Sequence, residues 1–355
     1  MTDTIPVFDG HNDFLLRLYR APQNRGRLWL EGGPGGHIDL PRMQAGGMAG
    51  GLFAIFLPSP AYPGGPDTLT RMPEPPFTIP LPPPLEAGDV AGAVMAMLGH
   101  WAWMERAAGG AFAICRTVEE LRAAMDRETV AGVLHLEGAE AIGPDLDTLH
   151  VLHAAGLRSL GPVWSRPNAF GHGVPFAFPA GPDVGPGLTE AGKDLVRECN
   201  ALKILVDLSH LNAAGVEDVA AISDAPLVAT HSNAHALCPS PRNLTDRQLD
   251  MIAERGGLVG LNFGVFFLRE DGRDDPQCGW EPVLRHLDYL IEKLGEDHVG
   301  FGSDFDGCVV PDVLGDAAGL QGLIGELRSH GFDEPLLRKL ACENWLGVLK
   351  RTWGA

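Results

Sequence analysis

The 355-residue sequence predicts an α/β protein, a (β/α)8 TIM barrel with long loops at the C-terminal face. Eight short apolar segments recur along the chain, and most are continuous rather than alternating, as is typical of parallel strands buried on both faces. Helical patterns separate most of these segments, which favours strand–helix alternation. Side chains of metal-binding type follow five of the segments, and barrel enzymes build their active sites at that end of the strands. An open doubly wound sheet is disfavoured, because FDGHND after the first segment is not a glycine-rich phosphate loop.

The predicted strands are short, apolar and spread over most of the chain. They are Thr4–Phe8, Gly51–Leu57, Gly132–Leu136, Arg158–Trp164, Ile204–Ser209, Leu227–Thr230, Leu258–Phe263 and Val299–Gly302.

Helices are predicted where apolar residues recur with helical spacing between these strands. Thr189 is predicted to be an N-cap, since a helical pattern with Glu190 at its start follows it. The predicted helices are Val90–Ala108, Val118–Arg127, Asp147–Ala155, Thr189–Leu202, Asn212–Ile222, Thr245–Arg255, Glu281–Leu294 and a closing helix over Asp333–Lys350.

Three segments interrupt the alternation and are rich in glycine, proline or both: Gly26–Gly51, Pro58–Pro84 and Asn168–Gly187. Proline fixes φ and removes a backbone donor, so these segments are predicted to be long loops that cover one end of the barrel. Disorder is the alternative for Pro58–Pro84. With no repeat and no convincing boundary, residues 1–355 are predicted to form a single barrel domain.

Composition restricts the class of partner. The chain has 46 acidic and 27 basic residues, a formal net charge of −19, which would repel a phosphate backbone and argues against nucleic-acid binding. The six cysteines are scattered without a CxxC pair, and neither a signal sequence nor a membrane-length apolar run is evident. A reduced, cytoplasmic protein with no membrane partner is therefore expected, and homo-oligomerisation stays open.

His11 and Asp13 stand two residues apart just after the first predicted strand, in FDGHNDF. Alternation along an extended chain sends residues i and i+2 to the same side, so an imidazole and a carboxylate would project together. Both groups are good zinc ligands. The alternative is an ordinary turn, since Asp9-Gly10 and Asn12-Asp13 are common loop pairs.

Four further residues of metal-binding type end other predicted strands: Glu137, His210, His231 and Asp304. Each has a simpler interpretation, as a structural histidine, a helix-start acid or an N-cap. Their agreement at five strand ends nevertheless predicts a metal centre. Three histidines and three carboxylates exceed the needs of one four-coordinate zinc ion, and two metals bridged by a carboxylate fit the count better.

The sequence resembles the membrane (renal) dipeptidases, metallopeptidase family M19 of the amidohydrolase superfamily. The motifs that carry the resemblance occur in the family's order and span nearly the whole chain. They are DGHND at 9–13, LEGAE at 136–140, DLSH at 207–210, THSNAHAL at 230–237, PRNLTD at 241–246 and GFGSDFDG at 300–307.

The resemblance implies a (β/α)8 barrel with two zinc ions. It assigns one metal to His11, Asp13 and Asp304, the other to His210 and His231, and the bridge to Glu137. Asp304 is implied to be the acid/base as well, and Arg242 to bind the C-terminal carboxylate of the substrate. Without the resemblance, an ion pair of Arg242 with an acid such as Asp246 would be the simpler interpretation.

The chain departs from the family at one position. Many members carry a histidine after the fourth strand that contacts the oxygen of the tetrahedral intermediate, and Trp164 stands at the matching position here. An indole has one N–H donor and no charge, so it cannot fully replace an imidazole. His172 on the following loop is a candidate substitute, and a solvated loop histidine is the alternative.

The sequence thus predicts a zinc dipeptidase that hydrolyses small dipeptides through a hydroxide held between two zinc ions, with Glu137 and Asp304 as catalytic residues. One alternative is a related dinuclear amidohydrolase acting on another small amide or lactone. The other is a metal-binding protein that has lost catalysis.

Overall fold

The computed structural model of the protein describes residues 4–59, 71–85 and 87–354. Their strands include a nearly closed barrel of eight parallel strands with helices around it, which confirms the predicted fold class. In chain order the strands are β1 (Val7–Asn12), β2 (Met48–Phe56), β3 (Phe77–Ile79), β4 (Phe112–Ile114), β5 (Val130–Glu137), β6 (Leu157–Gly161), β7 (Phe176–Phe178), β8 (Leu205–Val206), β9 (Val228–Ala229), β10 (Leu258–Leu261) and β11 (Val299–Phe301).

Neighbouring strands of the barrel follow the order β8-β6-β5-β2-β1-β11-β10-β9. A parallel bridge between Asp207 and Val228 brings the two ends of this series together. Strand β4 pairs with the first three residues of β5, and β3 pairs with β7 in a separate antiparallel sheet. Every predicted strand overlaps a barrel strand. The apolar segments are buried from both sides, as expected for parallel strands of this kind.

The helices surround the barrel and alternate with most of its strands. They are α1 (Phe14–Arg20), α2 (Arg25–Leu30), α3 (Leu40–Ala45), α4 (Ala87–Ala107), α5 (Val118–Met125), α6 (Asp147–Ala155), α7 (Glu190–Leu202), α8 (Ala213–Ile222), α9 (Asp246–Glu254), α10 (Val265–Leu268), α11 (Glu281–Leu294), α12 (Leu320–His330), α13 (Glu334–Arg338) and α14 (Asn344–Trp353).

Polar caps fix where several of these helices begin. The Thr189 side chain accepts a hydrogen bond from the Gly192 N–H, as its sequence position predicts. Thr245 and Gln248 form a reciprocal capping box at the start of α9. Such caps satisfy backbone donors that have no partner inside the helix. They therefore set the lengths of the loops that carry site residues.

The closing helix predicted over Asp333–Lys350 consists of α13, a π-helical turn at Lys339–Glu343, and α14. Trp345 of this region packs against β1, β10 and β11, where its ring occupies the space of an absent Cβ at Gly10, Gly260 and Gly300. Its indole N–H donates to the Phe301 carbonyl. The glycines thus allow the helix to approach the strands that end in site residues.

The prediction of a loop over Gly26–Gly51 is wrong. Most of α2, all of α3 and the start of β2 lie in this segment. The Asp39 side chain caps α3 by accepting from the Arg42 N–H, and Pro41 occupies the first helical turn, where proline is tolerated. Trp29 and Met43 are fully buried. The glycines of this segment are typical of a loop, and these helices were therefore missed.

The described parts of the other two segments lie over the carboxyl end of the barrel, as predicted, and the small β3–β7 sheet joins them. Ser59, Met72 and Phe176 from these segments line a cavity at that end. Residues 60–70 of Pro58–Pro84 lie outside the described residues. Among the helices that are described, none is both long and apolar enough to cross a bilayer.

Candidate metal centre

The six predicted ligands all lie at the carboxyl ends of barrel strands, with their side chains facing one another. His11 and Glu137 are within the last residues of β1 and β5, Asp13 directly follows β1, and the other three lie two to four residues after β9, β11 and β8. All six are buried, with exposed fractions between 0% for His11 and 9% for Asp304. Glu137 is the last residue of its strand and starts no helix, so the simpler interpretation offered for it fails.

Hydrogen bonds between the ends of β1 and β11 bring two of the carboxylates together. The Asp304 N–H donates to the His11 carbonyl at 3.0 Å, and the Asp13 N–H donates to the Phe305 carbonyl at 2.9 Å. A Cβ on Gly307 would overlap oxygens of both Asp13 and Asp304, so this position requires glycine. Asp13 and Asp304 therefore face the same space although 290 residues of sequence separate them.

Glu137 lies at the centre of the cluster. Its Oε2 is 3.6 Å from His11 Nε2, and its Oε1 is 3.0 Å from His210 Nε2 and 3.5 Å from His231 Nε2. Two groups of potential ligands share this carboxylate, one with His11 and Asp13 and the other with His210 and His231. A third group joins Asp304 to His11 and His231. The arrangement could hold metal ions on both sides of Glu137.

The donor set fits divalent cations. Both ring nitrogens of His11 and Oδ1 of Asp13 are buried without a hydrogen-bond partner among the described residues. Leaving such atoms unpaired is costly, and metal coordination would satisfy the atoms that face the centre. Imidazole nitrogen with carboxylate oxygen is the ligand chemistry of zinc and similar transition metals.

Burial and neighbouring charges together set the pKa values of His11 and Glu137. Burial opposes a charge on His11, but the carboxylate of Glu137 more than offsets this and holds the pKa of His11 well above its usual range. Burial also opposes a charge on Glu137, and the His11 imidazolium more than compensates, so the pKa of Glu137 lies well below its usual range. A cation bound at Glu137 would supply the positive charge instead and leave His11 neutral, as a metal ligand must be.

The other two histidines among the six predicted ligands, His210 and His231, are neutral. Burial, together with the charge of Arg242, lowers the pKa of His210 to about 4. Burial and the charge of His11 hold the pKa of His231 well below its usual range. Neutral imidazole is the form that binds metal, so these two side chains need lose no proton before coordination at neutral pH.

Hydroxyl groups behind these histidines orient their rings. The Thr230 hydroxyl donates to Asp207 Oδ2 at 2.6 Å and lies 2.8 Å from His231 Nδ1. Because that hydroxyl proton is already engaged, Thr230 accepts from Nδ1–H, which leaves Nε2 unprotonated towards Glu137. Ser165 Oγ lies 2.8 Å from His210 Nδ1 and orients that ring similarly. Such outer partners fix the tautomer of a metal-binding histidine.

Asp304 has a partner that sequence reasoning missed. Asn262, directly after β10, donates from Nδ2 to Asp304 Oδ2 at 2.8 Å and is itself buried. Burial raises the pKa of Asp304 to about 7, although the charge of His11 opposes the shift. Both Asp304 and His210 adopt positive φ, at 58° and 70°. A non-glycine residue in this region carries a strain of roughly 1–2 kcal/mol, typical of functional positions.

Arg242 is buried beside the cluster, with an exposed fraction of 3%. Its Nη2 donates to the His231 carbonyl at 3.1 Å, and its guanidinium lies 5.4 Å from the centre of the Phe267 ring. The simpler interpretation, an ion pair with Asp246, does not fit the structure. Asp246 instead pairs with Lys293 at 2.7 Å and accepts from the Tyr289 hydroxyl.

A cavity of about 90 Å³ opens above the cluster at the carboxyl end of the barrel. Glu137, His210, Asp304 and Arg242 contribute to its polar floor. Its remaining walls are largely apolar and aromatic: Phe56, Met72, Trp164, Phe176, Phe266 and Phe267. Convergent polar groups in an apolar pocket are typical of a site for a small molecule.

Comparison with known proteins identifies the family of this chain. The family described as membrane dipeptidase, peptidase family M19, matches residues 1–353. The chain belongs to this family.

Two solved structures and one curated relative are similar to this chain over most of its length. A metallopeptidase from Rhodobacter sphaeroides, crystallised with a phosphinate mimic of the dipeptide L-Ala-D-Ala, is 62% identical and superposes with a TM-score of 0.97; the match covers 99% of this chain and 100% of that one. A dipeptidase AC of family M19 is also 62% identical, with a TM-score of 0.96 and the same coverage. An uncharacterised Klebsiella pneumoniae protein from the pqqA 5′ region is 50% identical over 69% of this chain and 90% of its own length.

The chain differs from many M19 members at Trp164, and this residue belongs to the cavity. Trp164 lines the wall, and its ring centre lies 5.8 Å from that of His210. His172, the candidate substitute, is partly buried and does not line this cavity; its carbonyl accepts from the Asn212 N–H. At this position, therefore, the chain places a tryptophan beside the cluster of candidate metal ligands.

Proposed function

We propose that the protein is a dinuclear zinc dipeptidase that hydrolyses the peptide bond of small dipeptides. Membership of the M19 metallopeptidases supports the reaction class. The single observation that carries the dinuclear proposal is the position of Glu137 in two ligand groups at once. A carboxylate with imidazoles facing both oxygens is suited to bridging two cations.

In this proposal His11, Asp13 and Asp304 hold one zinc ion, and His210 and His231 hold the other. The clustering of His11, Asp13 and Glu137 within 4.8 Å supports the first group, and that of Glu137, His210 and His231 supports the second. Asp304 reaches the cluster through His11 and His231. When bound, paired zinc ions supply a water of lowered pKa as nucleophile and polarise the scissile carbonyl.

The side chains of the protein would handle the proton and the substrate. Asp304 would accept the proton of the attacking water and deliver it to the leaving amine, as a carboxylate held beside the reacting groups can. Asn262 would hold Asp304 Oδ2 and leave Oδ1 directed into the site. Arg242 would bind the terminal carboxylate of the dipeptide and so position its one peptide bond.

The substrate class follows from the cavity and a relative. Small volume and aromatic walls suit short peptides with compact apolar side chains. The 62% identical Rhodobacter sphaeroides enzyme was crystallised with a mimic of L-Ala-D-Ala. We therefore propose L-Ala-D-Ala as the first dipeptide to test.

Metal analysis tests the dinuclear centre. Protein purified without chelator and supplied with zinc is expected to carry close to two zinc equivalents per chain, measured by elemental analysis. Glu137→Gln is expected to bind less zinc and to lose dipeptide hydrolysis by more than about 100-fold, beyond the 10–100-fold typical of outer-shell changes, because an amide bridges two cations poorly.

The matched control is Glu198→Gln, since Glu198 lies on the outer helix α7 beside exposed His150. It is expected to keep both zinc ions and full activity. One zinc equivalent or none in the wild type, even with excess zinc, contradicts the bridged pair.

A further inference from the structure

We propose that Arg166 is a positioning residue for the substrate pocket. Paired with Glu140, it holds the aromatic wall formed by Phe56 and Trp164, and so sets which substrate side chains fit. The inference rests on the proposed dipeptidase function. It concerns residues that the reaction itself does not use.

Arg166 is fully buried, and three of its nitrogens donate hydrogen bonds. Nε donates to Glu140 Oε1 at 2.7 Å, Nη1 to Ser59 Oγ at 2.8 Å, and Nη2 to the Leu57 carbonyl at 2.6 Å. The three acceptors come from the loops that follow β2 and β5, while Arg166 itself follows β6. One guanidinium therefore joins three loops at the carboxyl end of the barrel.

The same guanidinium stacks against the wall of the cavity. Its central carbon lies 5.2 Å from the centre of the Trp164 ring and 5.7 Å from that of Phe56. These two rings are in contact with each other, with centres 5.0 Å apart. Both line the cavity, as do Pro58 and Ser59 of the loop that Arg166 binds. The cation thus supports the wall from behind.

Glu140 supplies the charge that allows an arginine to be buried here. The side chains of Arg166 and Glu140 have exposed fractions of 0% and 3%. A buried charge without a partner is strongly unfavourable, so each residue depends on the other. Gly138, with a φ of 85°, lets Glu140 fold back over the chain, since a Cβ there would overlap its carboxylate. The LEGAE motif therefore provides both Glu137 for the metal cluster and Glu140 for the wall.

The contacts assign Arg166 to binding specificity rather than to the chemical step. Among the described residues, the hydrogen bonds of its side chain go to Glu140, Ser59 and Leu57, and it does not itself line the cavity. The wall it supports lies on the side of His210, whose ring is 5.8 Å from that of Trp164. Loss of this support should widen the pocket and leave the ligands in place.

The guanidinium fork is essential to this role. A lysine has a single ammonium group and could not reach the three acceptors from a fixed direction while lying against both rings. Arg166→Lys keeps the charge that pairs with Glu140 and removes the fork, so it separates positioning from charge balance. Ser59→Ala removes one acceptor alone and provides a milder variant that should fold normally.

The experiment compares wild type, Arg166→Lys and Ser59→Ala with L-Ala-D-Ala and L-Phe-D-Ala as substrates. The ratio of kcat/KM for the small substrate to that for the bulky one is expected to fall by roughly tenfold in Arg166→Lys, the scale of a changed apolar pocket contact. A smaller fall is expected in Ser59→Ala. The change should lie mainly in KM, with zinc content unchanged.

Arg255→Lys is the matched control, because Arg255 also donates to backbone carbonyls, those of Ala220 and Ser223, but on the outer helices. It is expected to keep the wild-type ratio. A ratio within about twofold of wild type in Arg166→Lys, below the scale of one changed apolar contact, would overturn the proposal.

A crystal structure of Arg166→Lys gives a readout that does not depend on activity. The Trp164 ring and residues 57–59 are expected to shift relative to the barrel strands, whereas their unchanged position would overturn the positioning role. If the wild type hydrolyses neither dipeptide, the proposed function fails, and the crystal structure still decides whether Arg166 holds the wall.

Discussion

Asp304→Asn is expected to lower kcat for dipeptide hydrolysis by about 10² or more, the usual scale of general acid–base catalysis. The asparagine retains an oxygen that can face the metal cluster but cannot accept the proton of the attacking water. Zinc should be partly retained, because the substitution leaves the other five proposed ligands in place. Steady-state kinetics and elemental analysis on the same preparation measure both effects.

The surroundings of Asp304 explain why this carboxylate should carry the proton. Burial raises its pKa to about 7, so a free carboxylate here would take up a proton near neutral pH. A bound zinc ion would lower that pKa, because a cation favours the charged form. Asn262 donates to one of its oxygens at 2.8 Å and prevents the side chain from turning away from the cluster.

Asp306 is the matched control, since it is the other carboxylate of the SDFDG motif that lines the cavity. It binds the neighbouring loop instead of the cluster, accepting from the His37 N–H, and its Oδ2 lies 3.7 Å from Arg17. Asp306→Asn is therefore expected to reduce kcat much less than Asp304→Asn. A near-normal kcat in Asp304→Asn would move the proton-handling role to another residue.

The barrel could be predicted from the sequence because its strands carry a strong local signal. A strand covered by helices on one side and by the barrel interior on the other must be apolar along its length. The ends of such strands are then easily found, and the polar residues that follow them stand out. His210 in DLSH and His231 in ATHS are found in this way, since each stands two residues after a buried apolar residue, Leu208 or Ala229.

Features that depend on distant partners could not be predicted. Asn262 stands inside the predicted strand Leu258–Phe263, whereas β10 ends at Leu261, and only its hydrogen bond to Asp304 marks it. Arg166 lies between the predicted strand Arg158–Trp164 and the segment Asn168–Gly187, and its acceptors come from positions 57, 59 and 140. Such contacts depend on how separate loops meet, which periodicity does not encode.

The short helices near the start of the chain were missed for a different reason. Helix α1 directly follows Asp13, in a stretch that had been interpreted only for its metal-binding residues. Helix α3 is six residues long and lies among glycines. Short helices carry few periodic positions, and their stability comes from packing against the rest of the protein. Buried Leu15 and Met43 provide that packing here.

Arg242→Ala is expected to reduce transition-state binding of a dipeptide by roughly 2–5 kcal/mol, the scale for truncating one member of a buried charged pair. The guanidinium lies in the cavity with the metal cluster, and its Nε has no hydrogen-bond partner among the described residues. Two parallel hydrogen bonds to a carboxylate would fix its orientation as well as its charge. Measured kcat/KM for L-Ala-D-Ala tests this expectation.

Two further variants separate substrate binding from damage to the site. Arg242 also donates to the His231 carbonyl, so zinc content must be compared before the loss is assigned to the substrate. Arg242→Lys is expected to recover only part of the activity, because a point charge lacks the fork. Arg247→Ala, which removes an exposed pair with Glu217 on the outer helices, is the control and should leave kcat/KM unchanged.

The preference for a free carboxylate decides between a dipeptidase and a broader amidohydrolase. In a dipeptide the terminal carboxylate stands at a fixed distance from the single scissile bond, so a clamp at Arg242 both places that bond and excludes peptides extended at the C-terminus. The wild type is therefore expected to prefer L-Ala-D-Ala strongly to its C-terminal amide, and Arg242→Ala should lose this preference. If the wild type cleaves both equally well, Arg242 is not the carboxylate clamp, and hydrolysis of another small amide or lactone becomes the better proposal.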